Sequence, residues 1–106
     1  MRFLVITNPK HPVPPELAVV LSDAMLGWMT KIKESGKLET LFGYTGIPGG
    51  GCILNVDSAE EANSIILEFP FGPFSDVQVH VVVDPFESVK QFKQIAQAMI
   101  ASGAGH

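Results

Sequence analysis

His80 stands among valines in the run Asp76-Val77-Gln78-Val79-His80-Val81-Val82-Val83. Side chains alternate across a strand, so Val77, Val79, Val81 and Val83 share one face and Gln78, His80 and Val82 share the other. An imidazole takes and returns a proton near neutral pH, which makes His80 the candidate general acid/base of a pocket built on that second face. A hydrogen-bonded histidine with no chemical role is the plainer alternative. Gln78, Asn55 and Tyr44 carry groups that could hydrogen-bond a carbonyl or ring oxygen as negative charge develops on it. For Tyr44 and Asn55 a strand-end or turn position competes with that role, because a slip of one residue turns a strand side chain to the opposite face.

His11 falls in the stretch Asn8-Pro9-Lys10-His11-Pro12-Val13-Pro14-Pro15, where the chain leaves the first strand at an end of the sheet at which ligands commonly enter. As a loop residue it could equally be an ordinary surface histidine. Trp28, on a helix stripe, either closes the pocket or is plain core. His106, in the terminal tail, is given no role.

Other chemistries find no support. Cys52 is the single cysteine; one thiol closes no intramolecular disulfide and makes no structural zinc site by itself. With no cation near it in sequence, it reads as a small buried hydrophobe. Gly46-Ile47-Pro48-Gly49-Gly50-Gly51 lacks the Gly-Lys-Ser/Thr ending of a phosphate loop and runs into a strand, so it is hairpin turn chemistry. No cluster of His, Cys and carboxylates has metal-ligand spacing, and no Gly-x-Ser-x-Gly nucleophile elbow is present.

The elements that must position these residues fit one domain, because 106 residues suit a single hydrophobic core. Hydrophobic residues make up 46% and charged residues 17%, and mean hydropathy is +0.27. The chain can therefore bury a core and still has apolar surface left over, for which a cavity or a partner subunit is the expected destination. A net charge of −4 without a basic cluster argues against nucleic acid as a partner. The N-terminal apolar run is too short for a signal peptide and no run is long enough to span a membrane, so a cytoplasmic, non-membrane protein is expected.

Arg2 to Thr7 reads as a first strand and the proline-rich stretch as a loop. Leu17, Val20, Leu21, Ala24, Trp28 and Ile32 recur at helical spacing between Glu16 and Ser35, and Gly36 supplies the stop. Val19, Leu26 and Met29 lie off that stripe as surplus apolar surface, suited to a dimer or a pocket. Leu38 to Thr45 and Cys52 to Val56 form a hairpin. Ser58 and Glu61 make a capping box before a helix that carries Ala62, Ile65, Ile66 and Phe69 inward and ends at Pro70. Asp76 to Val83 is the last strand and Phe86 to Ala101 a final helix, with residues 102–106 a mobile tail beyond a domain of residues 1–101. The order strand, helix, strand, strand, helix, strand predicts an α+β, ferredoxin-like βαββαβ fold with an extra C-terminal helix and a four-stranded antiparallel sheet. With helices on the valine face, the opposite face (Gln78, His80, Val82, Ile53, Asn55, Phe42 and Tyr44) is left bare and mostly apolar. Two such faces packed together predict a homodimer, or a higher assembly of dimers, enclosing the pocket.

The stretch Leu67-Glu68-Phe69-Pro70-Phe71-Gly72-Pro73-Phe74, running into Asp76-Val77-Gln78-Val79, resembles the muconolactone isomerase-like branch of the dimeric α/β-barrel superfamily. The resemblance implies a ferredoxin-like protomer, paired sheets, and a small hydrophobic substrate held between sheet and helices or loops. It also implies proton transfer in aromatic catabolism without metal or organic cofactor. Where that family is expected to carry acidic residues on the last strand, this chain has Gln78 and His80; an imidazole keeps the proton-transfer role, and the expected substrate is a small hydrophobic lactone or enolisable ring. Two alternatives stand beside it: a cofactor-independent monooxygenase of the same superfamily, and a non-catalytic dimeric ligand-binding protein.

Overall fold

The β-branched and aromatic run at the N-terminus forms strand β1 (Arg2–Pro9) in the computed structural model, which describes residues 1–103. Helix α1 (Pro15–Glu34) starts on the last proline of the loop, at the first helical position, where the missing N–H would have had no partner. Gly36, at φ +77°, ends it in the left-handed conformation that a side chain disfavours. Strands β2 (Leu38–Gly43) and β3 (Gly50–Asn55) form the hairpin, closed by the Tyr44 N–H donating to the Gly49 carbonyl at 3.0 Å.

Helix α2 (Ala59–Leu67) is capped by Ser58, whose Oγ accepts from the Glu61 N–H at 3.1 Å. The returning arm of the box differs from the expectation: Glu61 Oε2 accepts from the Asp57 N–H at 3.4 Å. A 3-10 turn over Gly72–Phe74 leads into β4 (Ser75–Val82), and α3 (Pro85–Ala101) follows with Asp84 Oδ1 accepting from the Phe86 N–H at 3.0 Å.

The sheet is antiparallel in the order β2-β3-β1-β4, so two crossovers and a hairpin give the α+β, ferredoxin-like arrangement that the element order predicts. Phe3 lies opposite Leu54 and Val81, and Val5 opposite Cys52 and Val79. Directly opposed residues share a face, so these side chains and Val77 point to the helix side, as the alternation predicts. Phe3, Val5, Cys52 and Leu54 meet Ile32 and Ala62 there in the buried core. Leu4, Ile6, Ile53, Gln78, His80 and Val82 occupy the bare face.

Three local expectations change. Strand β2 stops at Gly43, after a register shift between Leu38 and Thr40, and leaves Tyr44 in the loop, where Gly46 (φ +80°) and Gly49 (φ +142°) turn the chain. The predicted stripe of α1 is buried at Ile32 and half-buried at Trp28 but largely open at Val20 (63% exposed). The valine face is also only partly covered: Val77 is half-buried, whereas Val79 and Val81 are 44% and 58% exposed. Nine helical residues of α2 span about 13 Å, against about 27 Å for the eight residues of β4, so α2 cannot roof the whole strand. Helix α3 stands away from the sheet with its apolar stripe open to solvent. Residues 104–106, including His106 and most of the expected tail, lie outside the described residues. No helix among the described residues is long and apolar enough to cross a membrane.

Candidate active site

Helix α1 bridges over the sheet and encloses a cavity of about 640 Å³ on the helix side, a volume that suits a small organic ligand. Val5, Thr7, Cys52, Leu54 and Val77 from three strands form its floor, and Ala18, Ser22, Met25, Trp28 and Met29 of α1 its roof. Ile66, Phe69, Phe71 and Phe74 close one side, and Pro9, His11, Pro12 and Val13 stand at another. The proline-punctuated segment that carries the family resemblance thus supplies three aromatic wall residues.

Local chemistry fixes each wall. Trp28 donates its indole N–H to the Ile65 carbonyl at 3.1 Å and stacks at a tilt on Phe69, with centroids 5.5 Å apart. His11 and Lys10 donate their backbone N–H groups to the Phe74 carbonyl at 3.0 and 2.9 Å, and Lys10 pairs with Asp76 at 3.5 Å. Pro9 and Pro12 restrict φ on either side, so the His11 loop loses little further freedom when it holds a ligand.

Gly43, Gly49, Gly50 and Gly51 line the cavity with backbone alone. A Cβ on Gly51 would stand 2.8 Å from the Phe42 ring, and one on Gly49 would stand 2.9 Å from the Thr7 carbonyl oxygen.

The wall is mostly apolar. Among the described residues, His11 and Cys52 are its two titratable side chains, and burial pushes the Cys52 thiol up to about 11, leaving it protonated and unreactive at neutral pH. His11 is therefore the remaining ionisable side chain in the wall. Thr7, Ser22 and Ser75 add hydroxyls, of which Thr7 Oγ1 donates to the Gly50 carbonyl at 3.2 Å.

Of the residues singled out from sequence, the structure brings His11 and Trp28 to this cavity. His80, Gln78 and Asn55 are exposed on the opposite face, registered against Leu4, Ile6 and Arg2. The expected pocket on that face has one wall in the protomer, because no helix lies over it. Tyr44, half-buried in the hairpin loop with its ring 6.3 Å from Phe42, is not part of the cavity wall. Ser22, Ser75 and Met25 were not anticipated. The recurrence of Ala18, Ser22, Met25 and Met29 along one side of a helix is the signal that could have marked them.

No protein-family model matches the chain, and no curated protein matches its sequence. Its fold does match solved structures. Muconolactone isomerase aligns with a TM-score of 0.71 at 22% identity, over 79% of this chain and 90% of that one. The 5-chloro-2-hydroxyhydroquinone dehydrochlorinase of Burkholderia phenoliruptrix AC1100, solved with 2,5-dihydroxybenzoquinone, aligns with a TM-score of 0.55 at 23% identity, over 78% of this chain and 94% of that one. The resemblance seen in the proline-punctuated segment therefore holds at the level of fold.

Proposed function

We propose that this chain is a small-molecule enzyme, similar to muconolactone isomerase, that moves a proton on a hydrophobic, oxygen-bearing substrate such as a lactone or an enolisable ring. The observation that carries this reading is an apolar cavity with one imidazole, His11, in its wall. Both fold neighbours are named for reactions of small oxygenated rings, which supports it.

In this mechanism His11 removes a proton from the carbon beside the substrate carbonyl, and the electron pair left behind delocalises onto the oxygen as an enolate. Hydroxyls of Ser22 or Ser75 hydrogen-bond that oxygen while it carries charge, an interaction strengthened by the surrounding apolar side chains. The imidazolium then returns the proton to a different carbon, which shifts the double bond and restores neutral His11. The reaction balances internally, without oxidant, metal or organic cofactor. The bare sheet face, with His80 and Gln78, serves in this reading as the surface on which two protomers pair.

The test is isomerisation of butenolide substrates, followed by ultraviolet absorbance and by deuterium uptake from D2O. His11→Asn is expected to lower kcat/KM by about 10²- to 10⁴-fold, with His80→Ala near wild type. The reverse pattern would return the base to His80. Unchanged ligand affinity with no turnover in wild type would instead favour a binding protein.

A further inference from the structure

We infer that the cavity takes an uncharged, elongated ligand of two or more rings, its carbonyl at the His11 end and its apolar body reaching toward Leu54 and Trp28. The inference rests on the proton-transfer reading above and narrows its substrate class. Charge is the first observation. Among the described residues, no lysine, arginine, aspartate or glutamate lines the cavity. Lys10, between the lining residues Pro9 and His11, pairs with Asp76 at 3.5 Å, and both side chains are more than half exposed. A ligand carboxylate held among the apolar residues would therefore meet no countercharge, and an unpaired charge withdrawn from water is strongly disfavoured.

Polarity along the cavity is the second observation. On the helix side of the sheet, Thr7 lies opposite Gly50, Val5 opposite Cys52 and Phe3 opposite Leu54. The polar lining groups gather at the Thr7 end. Ser75 is registered against Pro9, the next cavity-side position beyond Thr7, and the His11 backbone is anchored to Phe74. Ser22 belongs to the first half of α1, which starts close after the His11 loop. Toward the other end the lining is Val5, Cys52, Leu54, Met25, Met29 and Phe69, whose side chains carry no oxygen or nitrogen. Trp28 is there too, with its N–H already given to Ile65.

Length is the third. Four residues separate Thr7 from Phe3, so the position of Leu54 lies about 13 Å from that of Gly50. The cavity volume of about 640 Å³ equals the liquid share of about twenty waters. A single ring seated beside His11 would leave the apolar end without contacts, whereas a fused or aryl-extended ring fills it. The tilted rings of Trp28, Phe69 and Phe71 give that body aromatic faces and edges to pack against, which favours rings over an acyl chain.

The test uses the full-length wild-type chain and calorimetric titration with a matched set of enolisable ketones at neutral pH. The set is 1-tetralone, its 6-carboxylate, the methyl ester of that carboxylate, the single-ring 2-cyclohexen-1-one, and the acyclic 2-decanone. Trp28 is the only tryptophan, so a change in its emission reports occupancy of this cavity. The tetralone and the ester are expected to bind with similar affinity, the carboxylate at least 100-fold more weakly, and the single ring about 100-fold more weakly than the tetralone. A carboxylate that binds as tightly as its ester would overturn the inference. So would a single ring or 2-decanone that matches the tetralone, or no binding of the tetralone at millimolar concentration. Met29→Lys, with folding checked by circular dichroism, places an ammonium at the apolar end and should reduce the gap between carboxylate and ester at least tenfold; an unchanged gap in the folded variant would overturn the orientation. The wild-type series decides the matter if that variant does not fold. Deuterium uptake beside the ketone carbonyl, in wild type and His11→Asn, reads the proton-transfer proposal separately. An ester that binds without exchange sinks that proposal and leaves this inference standing, whereas His11-dependent exchange of a tightly bound carboxylate does the reverse.

Discussion

The indole N–H of Trp28 reaches across from α1 to the Ile65 carbonyl of α2 at 3.1 Å. Its ring meets Phe69 at the same junction. One side chain thereby ties the roof of the cavity to its side wall, and the indole donor is spent on protein rather than left for a ligand.

Trp28→Phe keeps an aromatic ring but deletes that donor. The expected loss is about 1 kcal/mol of stability, read as a lower urea midpoint with an unchanged slope.

Gly49→Ala introduces a side chain at φ +142°, with its Cβ 2.9 Å from the Thr7 carbonyl oxygen. Strain of about 1–3 kcal/mol is expected, with a falling melting temperature. Gly27→Ala, where no atom lies within 4 Å of the new methyl, should be neutral or slightly stabilising by comparison.

Glu61 couples stability to pH. Its ion pair and hydrogen bond with Lys37 hold the carboxyl below its ordinary value; burial opposes the shift, while the Asp57 N–H adds to it. A carboxylate lowered on folding contributes stability above its unfolded pKa of about 4.3, and that contribution disappears as pH falls through the folded value. Urea titrations between pH 6 and pH 3 should therefore show a loss that Lys37→Met reduces.

Cys52 is buried and its thiol is pushed up to about 11. Native protein at pH 8 should react with iodoacetamide far more slowly than protein unfolded in urea, by mass spectrometry. Comparable rates would mean that the cavity floor opens readily.

Much of this fold was legible because its signals are local. Alternation along β4 places Val81 and His80 on opposite faces, Ser58 marks the start of α2, and prolines mark the loop that holds His11. The candidate site was less legible because a cavity depends on how far a helix stands from a sheet. Strand alternation separates the two faces of β4 without saying which is roofed over a void. Sequence therefore put His80 in the pocket, whereas the space lies under α1, one residue around that helix from its most apolar stripe, on the side of Ser22 and Met25. The stripe of α1 reads as a buried face because periodicity records amphipathicity alone; Val20 keeps that spacing in the open, as Phe92 does on α3.

The glycine wall makes the cavity's response to substitution one-sided. Gly43 and Gly50, paired with each other and with Thr7 on the cavity side of the sheet, already present the smallest side chain available, so any replacement there narrows the space and none enlarges it. Peptide planes along that wall let a flat ring approach to van der Waals contact, where a branched side chain would hold it off. Variants accepting bulkier rings should therefore arise by trimming Met25, Met29 or Phe71, while the glycine side sets a fixed limit on thickness.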